Sequence, residues 1–474
     1  MTTQDTAPAV SRQAWRIAAV VAFGAFMSQL DTSVVNVGLE TVARDLHAGL
    51  ERTQWVANGY LLALAVSLPA CGWLTRRFGP GRLWLASLAG FTVSSALCAL
   101  ATDLGWLIGL RVVQGLAAGL LLPAGQTVIG QAVGPARLGR VMATVGIALT
   151  LAPALGPSAG GLLLHLASWP WLFWVNVPLG VAGLLLGLRY LPRNGAGAAG
   201  KLDWFGLVLV SVGVPALVYG FTGWGERGSL APSVAGFLAV GALALVGFGV
   251  RSARRRGRGG RPPVLDLALY RIPRYAAASA TVAFSGAAMF GAGLLFPLYY
   301  QLGRGESVLA TGVLLITMSI GTAAALPVCG RLVDRYGGGL VSLVGGLGTV
   351  VTTLPFAVVE LSASEPLVQA LLLVRGAALA AALMPATIAA YQAVDAGQLP
   401  DATTQVNILL RVGGALGGAV FTVILTAGLA GGVGPAFHAS FWWLTGSSAL
   451  GLAGSVWLAL AERRMASDRN PDSP

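Results

Sequence analysis

Charge is scarce in this sequence. Asp, Glu, Lys and Arg make up 10% of its 474 residues, where soluble globular domains carry about 25%. A chain so poor in charge cannot cover itself with a hydrated surface, so an ordinary soluble fold is excluded. Cysteine is scarce too. Cys71, Cys98 and Cys329 are the three, all inside apolar runs and without CxxC spacing. That pattern excludes a disulfide framework and a cysteine metal site and leaves small buried hydrophobes. A nucleotide motor is missing as well. Gly195, Gly197 and Gly200 satisfy GxGxxG and Lys201 nearly completes a P-loop. However, Leu202 replaces the Ser or Thr that would hold magnesium, and the segment is a short linker without a preceding strand. The expectation is no enzyme, no metal and no cofactor. The first apolar run is also too long for the h-region of a cleaved leader.

What the chain has instead is apolar length. Hydrophobic residues reach 55%, glycines number 66, and mean hydropathy is +0.75. Apolar runs of ~18 or more residues read as membrane-spanning helices, because ~20 residues at ~1.5 Å rise cross the hydrocarbon. Abundant glycine lets such helices pack closely. Fourteen spans are predicted, at about 15–39, 54–74, 82–101, 104–130, 139–163, 171–191, 204–222, 232–251, 275–301, 307–329, 340–360, 366–392, 406–430 and 437–461. An even count places both termini on one side.

Basic residues choose the side. With the N-terminus in the cytoplasm, 23 of the 30 Lys and Arg face inward. Arg44, Arg52, Arg227 and Arg304 face outward, and Arg111, Arg375 and Arg411 lie within spans. This is a strong positive-inside asymmetry. It accounts for the net charge of +12 without nucleic acid. The densest run, Arg254 to Arg261, reads as a cytoplasmic tether against anionic headgroups.

A long-period repeat divides the chain. Residues 68–79 (LPACGWLTRRFG) and 326–337 (LPVCGRLVDRYG) agree at seven of twelve positions, offset by 330 − 72 = 258. Leu122-Pro123-Ala124 and Met384-Pro385-Ala386 agree at an offset of 385 − 123 = 262. Two halves with one internal plan are predicted: 1–193 as an N-terminal six-helix lobe, 267–474 as its C-terminal counterpart, and 194–266 as a linker carrying two extra helices.

One acidic residue lies well inside the predicted spans, Asp31. A mid-membrane aspartate costs ~3 kcal/mol on insertion scales and is a functional candidate by default. Counting residues places Asp31 and Arg111 both ~12 Å below the outer face. They either form a structural ion pair, or Asp31 alternates between arginine, proton and substrate. Further polar or aromatic interruptions of apolar runs, as candidates for a substrate cavity, are Trp55, Asn58, Tyr60, Gln126, Tyr299, Tyr300 and Gln301.

The ordered motifs resemble one family. The turn Gly330–Gly337 matches the Gly-x-Leu-x-Asp-Arg-x-Gly signature of the major facilitator superfamily, with Asp334 and Arg335 in place. The first copy, with Gly72, Arg77 and Gly79, departs from it because Arg76 stands where the family has Asp. In the family that acid helps latch the lobes on the cytoplasmic side, so the resemblance predicts a latch at Asp334 and a lost one at Arg76. The fourth span, with Arg111 in LIGLRVVQG, resembles the family's buried-arginine motif. Gly146, then Pro153, Gly156, Pro157, Gly160 and Gly161 resemble its Gly-Pro antiporter motif. LDTSVVNVGL around Asp31, the stretch 169–180 with Asn176-Val177-Pro178, and Leu202-Asp203-Trp204 resemble the fourteen-span drug:proton antiporter branch, although Glu40 replaces its usual proline.

The resemblance implies an all-α major facilitator fold of fourteen helices, a monomer in the plasma membrane with both termini cytoplasmic. It implies proton-driven export of hydrophobic, expectedly cationic, drugs by alternating access. Proton coupling would fall to Asp31 and Arg111, with protons, a small-molecule substrate and anionic lipids as partners. A dedicated exporter of one metabolite and a non-transporting membrane regulator are the rivals.

Overall fold

The computed structural model describes residues 10–193, 200, 202–256, 264–358 and 363–469. Among these residues the regular structure is entirely helical. The first lobe comprises α1 (Arg12–Asp45), α2 (Leu50–Phe78), α3 (Pro80–Ala99), α4 (Leu104–Val133), α5 (Leu138–Leu166) and α6 (Trp171–Tyr190). Two further helices follow, α7 (Trp204–Arg227) and α8 (Pro232–Arg255). The second lobe comprises α9 (Pro273–Gly303), α10 (Val308–Tyr336), α11 (Gly338–Val358), α12 (Glu365–Gln392), α13 (Leu399–Gly431) and α14 (Val433–Met465). Thirteen of these are long and apolar enough to cross a membrane. The fourteenth, α5, bends by 44° between Pro135–Pro153 and Leu155–Leu166. Pro153 and Pro157 each remove a backbone donor there, which weakens the helix ladder at the bend.

Short polar residues start the helices. Ser11, Asp103, Asp203 and Ser307 each accept a hydrogen bond from an otherwise free backbone N–H of the first turn. The two repeated turns end on Gly79 and Gly337, at φ 87° and 84°. A side chain is strained in that left-handed region, so glycine recurs at both places.

Several helices outrun their expected spans. Helix α1 covers 12–45 where 15–39 was expected, and α13 begins at Leu399 rather than near 406. Apolar counting finds the hydrocarbon-crossing core of a helix, but polar first and last turns stay helical beyond it. The extension of α13 matters because it carries Asp401 into the bundle.

The inserted pair packs on itself and on the seam between the lobes. A Cβ on Gly225 of α7 would lie 3.0 Å from Ala419 of α13, and Tyr219 of α7 stacks on Trp55 of α2 at 6.3 Å. Asp203, just ahead of α7, ties the pair together: Arg251 donates to it at 2.9 Å and Arg255 pairs with it at 3.1 Å. Burial pushes the Asp203 carboxyl up, but the Arg251 hydrogen bond, the Gly206 N–H and the two guanidinium charges outweigh it and hold it below the ordinary carboxylate value. Residues 195–199 of the glycine run, Lys201 and most of the arginine-rich segment 254–261 lie outside the described residues, while the Gly200 carbonyl accepts from Trp73 Nε1 at 3.0 Å.

Candidate functional site

The core of the first lobe is built around a carboxylate. Asp31 lies in the middle of α1 and is fully buried. Arg111 Nη1 donates to its Oδ2 at 2.7 Å, Asn176 Nδ2 to its Oδ1 at 2.7 Å and Gln114 Nε2 to the same Oδ1 at 3.2 Å. Arg111 also donates through Nε to the Val56 carbonyl and through Nη1 to Gln114 Oε1. Its guanidinium lies 4.1 Å from the Tyr60 ring centroid, with the Phe173 ring at 5.7 Å. Tyr60 and Ser28 share a hydroxyl contact at 3.2 Å, and Ser95 hydrogen-bonds Asn176.

Helices α4 and α6 thus ligate the carboxylate of α1 directly, and α2 and α3 support those ligands through Val56, Tyr60 and Ser95. The equal depths of Asp31 and Arg111 expected from residue counting become a direct ion pair. Gln114 and Asn176 were not singled out as ligands of Asp31. Gln114 is three residues beyond Arg111 and so on the same helix face. Asn176 was visible only as part of a branch motif, and nothing local tied it to Asp31.

Polar contacts between the lobes gather at the face where α1 begins and α14 ends. Gly139 N, at the start of α5, donates to Asp334 Oδ1 at 3.0 Å, and Arg140 lies 3.3 Å from Oδ2. Across the pseudo-symmetric seam Arg76 meets Asp401 of α13 at 2.5 Å, a charge contact rather than an aligned hydrogen bond. The expectation that Arg76 marks a lost latch is therefore corrected. A carboxylate still crosses the interface there, supplied by the opposite lobe, and the missed Asp401 lay beyond the predicted start of its span.

The motif glycines are explained by the same contacts. A Cβ on Gly72 would sit 2.5 Å from Asp401 Oδ1, and one on Gly330 would sit 2.8 Å from the Gly139 carbonyl. Arg77 and Arg335 are exposed. Arg335 lies over its neighbour Tyr336 at 5.1 Å. One layer further in, Tyr391 donates to Gln126 at 3.0 Å, Asn407 donates to Gln126 at 2.8 Å, and Thr127 meets Thr403 at 3.0 Å. These contacts close the seam.

The antiporter-motif residues of α5 pack largely against α1 beside Asp31. A Cβ on Gly156 would fall 2.0 Å from Ser33 Oγ, and one on Gly160 3.2 Å from the Val34 carbonyl. Ser33 Oγ donates to the Pro153 carbonyl at 3.4 Å. Gly146 faces Leu326 of the other lobe at 3.1 Å, whereas a Cβ on Gly161 would meet nothing within 4 Å.

The expected substrate-cavity set does not hold together. Tyr60 belongs to the Asp31 site and Gln126 to the interlobe seam. Tyr299 is buried among Phe356, Phe437 and Phe441, with ring centroids 5.7–6.0 Å away. Tyr300 donates to Glu365 at 2.9 Å and accepts from Gln369. Both tyrosines are core of the second lobe, because an aromatic with a polar tip buries well once the tip finds a partner. Trp55 is 41% exposed and leans on α7, Asn58 is exposed, and Gln301 is partly exposed.

The family model described as the Major Facilitator Superfamily matches residues 21–418. A relative named "Multidrug resistance protein B homolog" from Mycobacterium tuberculosis is 34% identical over 417 residues, covering 87% of this chain and 76% of that one. The "Tetracenomycin C resistance and export protein" of Streptomyces glaucescens is 31% identical over 420 residues, with the same two coverages. Among solved structures, the proton:xylose symporter XylE superposes with a TM-score of 0.62 at 14% identity, over 94% of this chain and 95% of that one. That likeness concerns the fold.

Proposed function

The chain belongs to the Major Facilitator Superfamily, among relatives named as drug-efflux transporters, and from that premise we propose that it is a proton-coupled antiporter. It would export hydrophobic compounds from the cytoplasm. The basic face, with both termini, is read as cytoplasmic from the arginine asymmetry, in a plasma membrane whose anionic lipids that face would meet. The Arg76–Asp401 and Asp334–Gly139 contacts close that face in the conformation described.

The observation that carries the coupling is the buried Asp31 cluster. In this state both oxygens of the carboxylate are engaged, by Arg111, Gln114 and Asn176. A proton arriving from outside would cancel its charge and release Arg111 from the pair. Ser33 and Val34 of α1 touch Gly156 and Gly160 of the bent α5 within three residues of Asp31. A change at the carboxylate would therefore reach a helix that also faces α10 of the other lobe. Proton entry supplies ~2.3 kcal/mol per charge per 100 mV, plus the pH term.

The test is efflux of a fluorescent drug from proteoliposomes holding purified protein, with a pH gradient imposed and then collapsed. Uphill export that tracks the gradient is expected. Gradient-independent flux would overturn antiport, and no flux for any compound would favour a non-transporting regulator. One relative is named for a single compound, so a narrow substrate profile in the same assay would favour a dedicated exporter.

A further inference from the structure

The membrane interior of this protein carries an uneven charge. The one mid-span carboxylate among the described residues, Asp31, is already neutralised by Arg111, and both its oxygens accept hydrogen bonds. Two other arginines have no such partner. Arg375 of α12 is fully buried; its Nε donates to Thr353 at 3.0 Å, its guanidinium lies 5.1 Å from the Phe296 ring centroid, and its Nη2 has no acceptor among the described residues. At the repeat's offset of 258–262 the counterpart of Asp31 falls near Met289, between 289 and 293, where no acid stands, so the second copy has the arginine without the acid.

Arg411 is the more telling of the two. It follows Thr403 and Asn407 at four-residue spacing on α13, and those two bind Thr127 and Gln126 of the opposite lobe. The face carrying Arg411 therefore looks at the first lobe, and Arg411 stands one turn, ~6 Å, beyond the seam on the side away from the basic face. Its side chain is partly buried on that face. Tyr60, which caps the Arg111–Asp31 pair, lies within its electrostatic reach from the other lobe. Arg411 has no ion pair or hydrogen bond among the described residues.

A desolvated guanidinium is costly unless something negative meets it. We propose that the space between the lobes takes compounds with a negatively charged or acidic group on an apolar body, and that Arg411 is their counter-charge. This rests on the exporter reading and sets its substrate class. A cationic cargo would need an open Asp31, and instead would meet Arg411 unshielded. The charge class has a second consequence. A monoanion leaving as one proton enters moves two elementary charges, whereas a monocation exchanged for a proton moves none. Efflux of the anion should therefore rise as the inside is made more negative.

Two probes with the same apolar body decide the matter, 1-pyrenebutyrate and 1-pyrenebutylamine, titrated against purified protein by energy transfer from tryptophan. The wild type is expected to bind the butyrate roughly tenfold or more tightly than the amine, as for one charge-assisted contact. Arg411→Gln should lose that preference and Arg411→Lys keep most of it. Arg411→Leu serves as a second neutral variant, with melting curves showing that each protein is folded. Equal or tighter binding of the amine, a preference unchanged in both neutral variants, or no binding of either probe would overturn the proposal. Gradient-driven flux of the butyrate is measured separately. Binding preference without flux would count against the exporter reading alone, and flux without charge preference against this proposal alone.

Discussion

Arg76 and Asp401 face each other across the two lobes at 2.5 Å, in the place where the other half of the repeat sets Asp334 against Gly139. Asp401 follows Gly139 by 401 − 139 = 262 residues, the same offset that relates Pro123 to Pro385. The acid has moved from one partner of the contact to the other. The closure has two carboxylates, both contributed by the second lobe.

Arg76→Asp should therefore open the seam, because it sets two carboxylates against each other. A contact worth ~1–3 kcal/mol changes the ratio of states ~5- to 150-fold. Spin-label distances at the basic rim should lengthen in Arg76→Asp and recover in the charge-swapped pair Arg76→Asp/Asp401→Arg. Unchanged distances in the single variant would reduce this contact to a topological turn. Asp334→Asn, which keeps an acceptor but loses the charge, should act in the same direction more weakly.

Asp31→Asn is expected to abolish gradient-driven efflux. It also leaves Arg111 buried without its anion, and removing one member of such a pair typically costs ~3–5 kcal/mol. The variant should melt lower than wild type. Arg111→Gln, which leaves the carboxylate unpaired, should be destabilised similarly. Wild-type uphill export by Asp31→Asn would rule out the carboxylate as proton carrier.

Two glycines five residues apart on α5, Gly156 and Gly161, should behave oppositely. Gly156→Leu drives a side chain into Ser33 and pries α5 from α1, so efflux should fall roughly tenfold or more, as overpacking costs ~1–3 kcal/mol. Gly161→Ala should be neutral, because a Cβ there meets nothing within 4 Å. Efflux assays on matched amounts of purified protein separate the two, and equal effects would show that the motif acts by composition rather than contact.

Asp203 gives a pH signature. Its carboxyl is held below its ordinary value near 3.8, so its clamp on Arg251 and Arg255 contributes fully above about pH 4 and is lost as pH falls through the lower folded value. Asp203→Asn should lower the melting temperature at pH 7 by the loss of about 1–3 kcal/mol. The gap to wild type should close in acid below pH 4. A gap that persists there would mean the clamp does not act through the carboxylate charge.

The sequence by itself determined the architecture. Hydrocarbon thickness sets helix length, and a 258–262 residue offset reveals two copies of one plan. Both are linear properties of the chain. Asp31 and Arg111 were legible for a related reason: a charge in a long apolar run is conspicuous, and helical rise converts residue counts into depth.

Tertiary structure decided the partners. Whether Arg76 lacks an acid depended on Asp401, more than 300 residues away, whose place in the bundle was set by polar turns that hydropathy does not count. Tyr299 and Tyr300 looked like cavity residues until neighbouring helices supplied aromatic rings and Glu365. Asn176 became a ligand of Asp31 only when α6 packed beside α1. Depth follows from one coordinate along a helix, but contact also needs the rotation and neighbours of that helix, and those emerge only when all fourteen pack together.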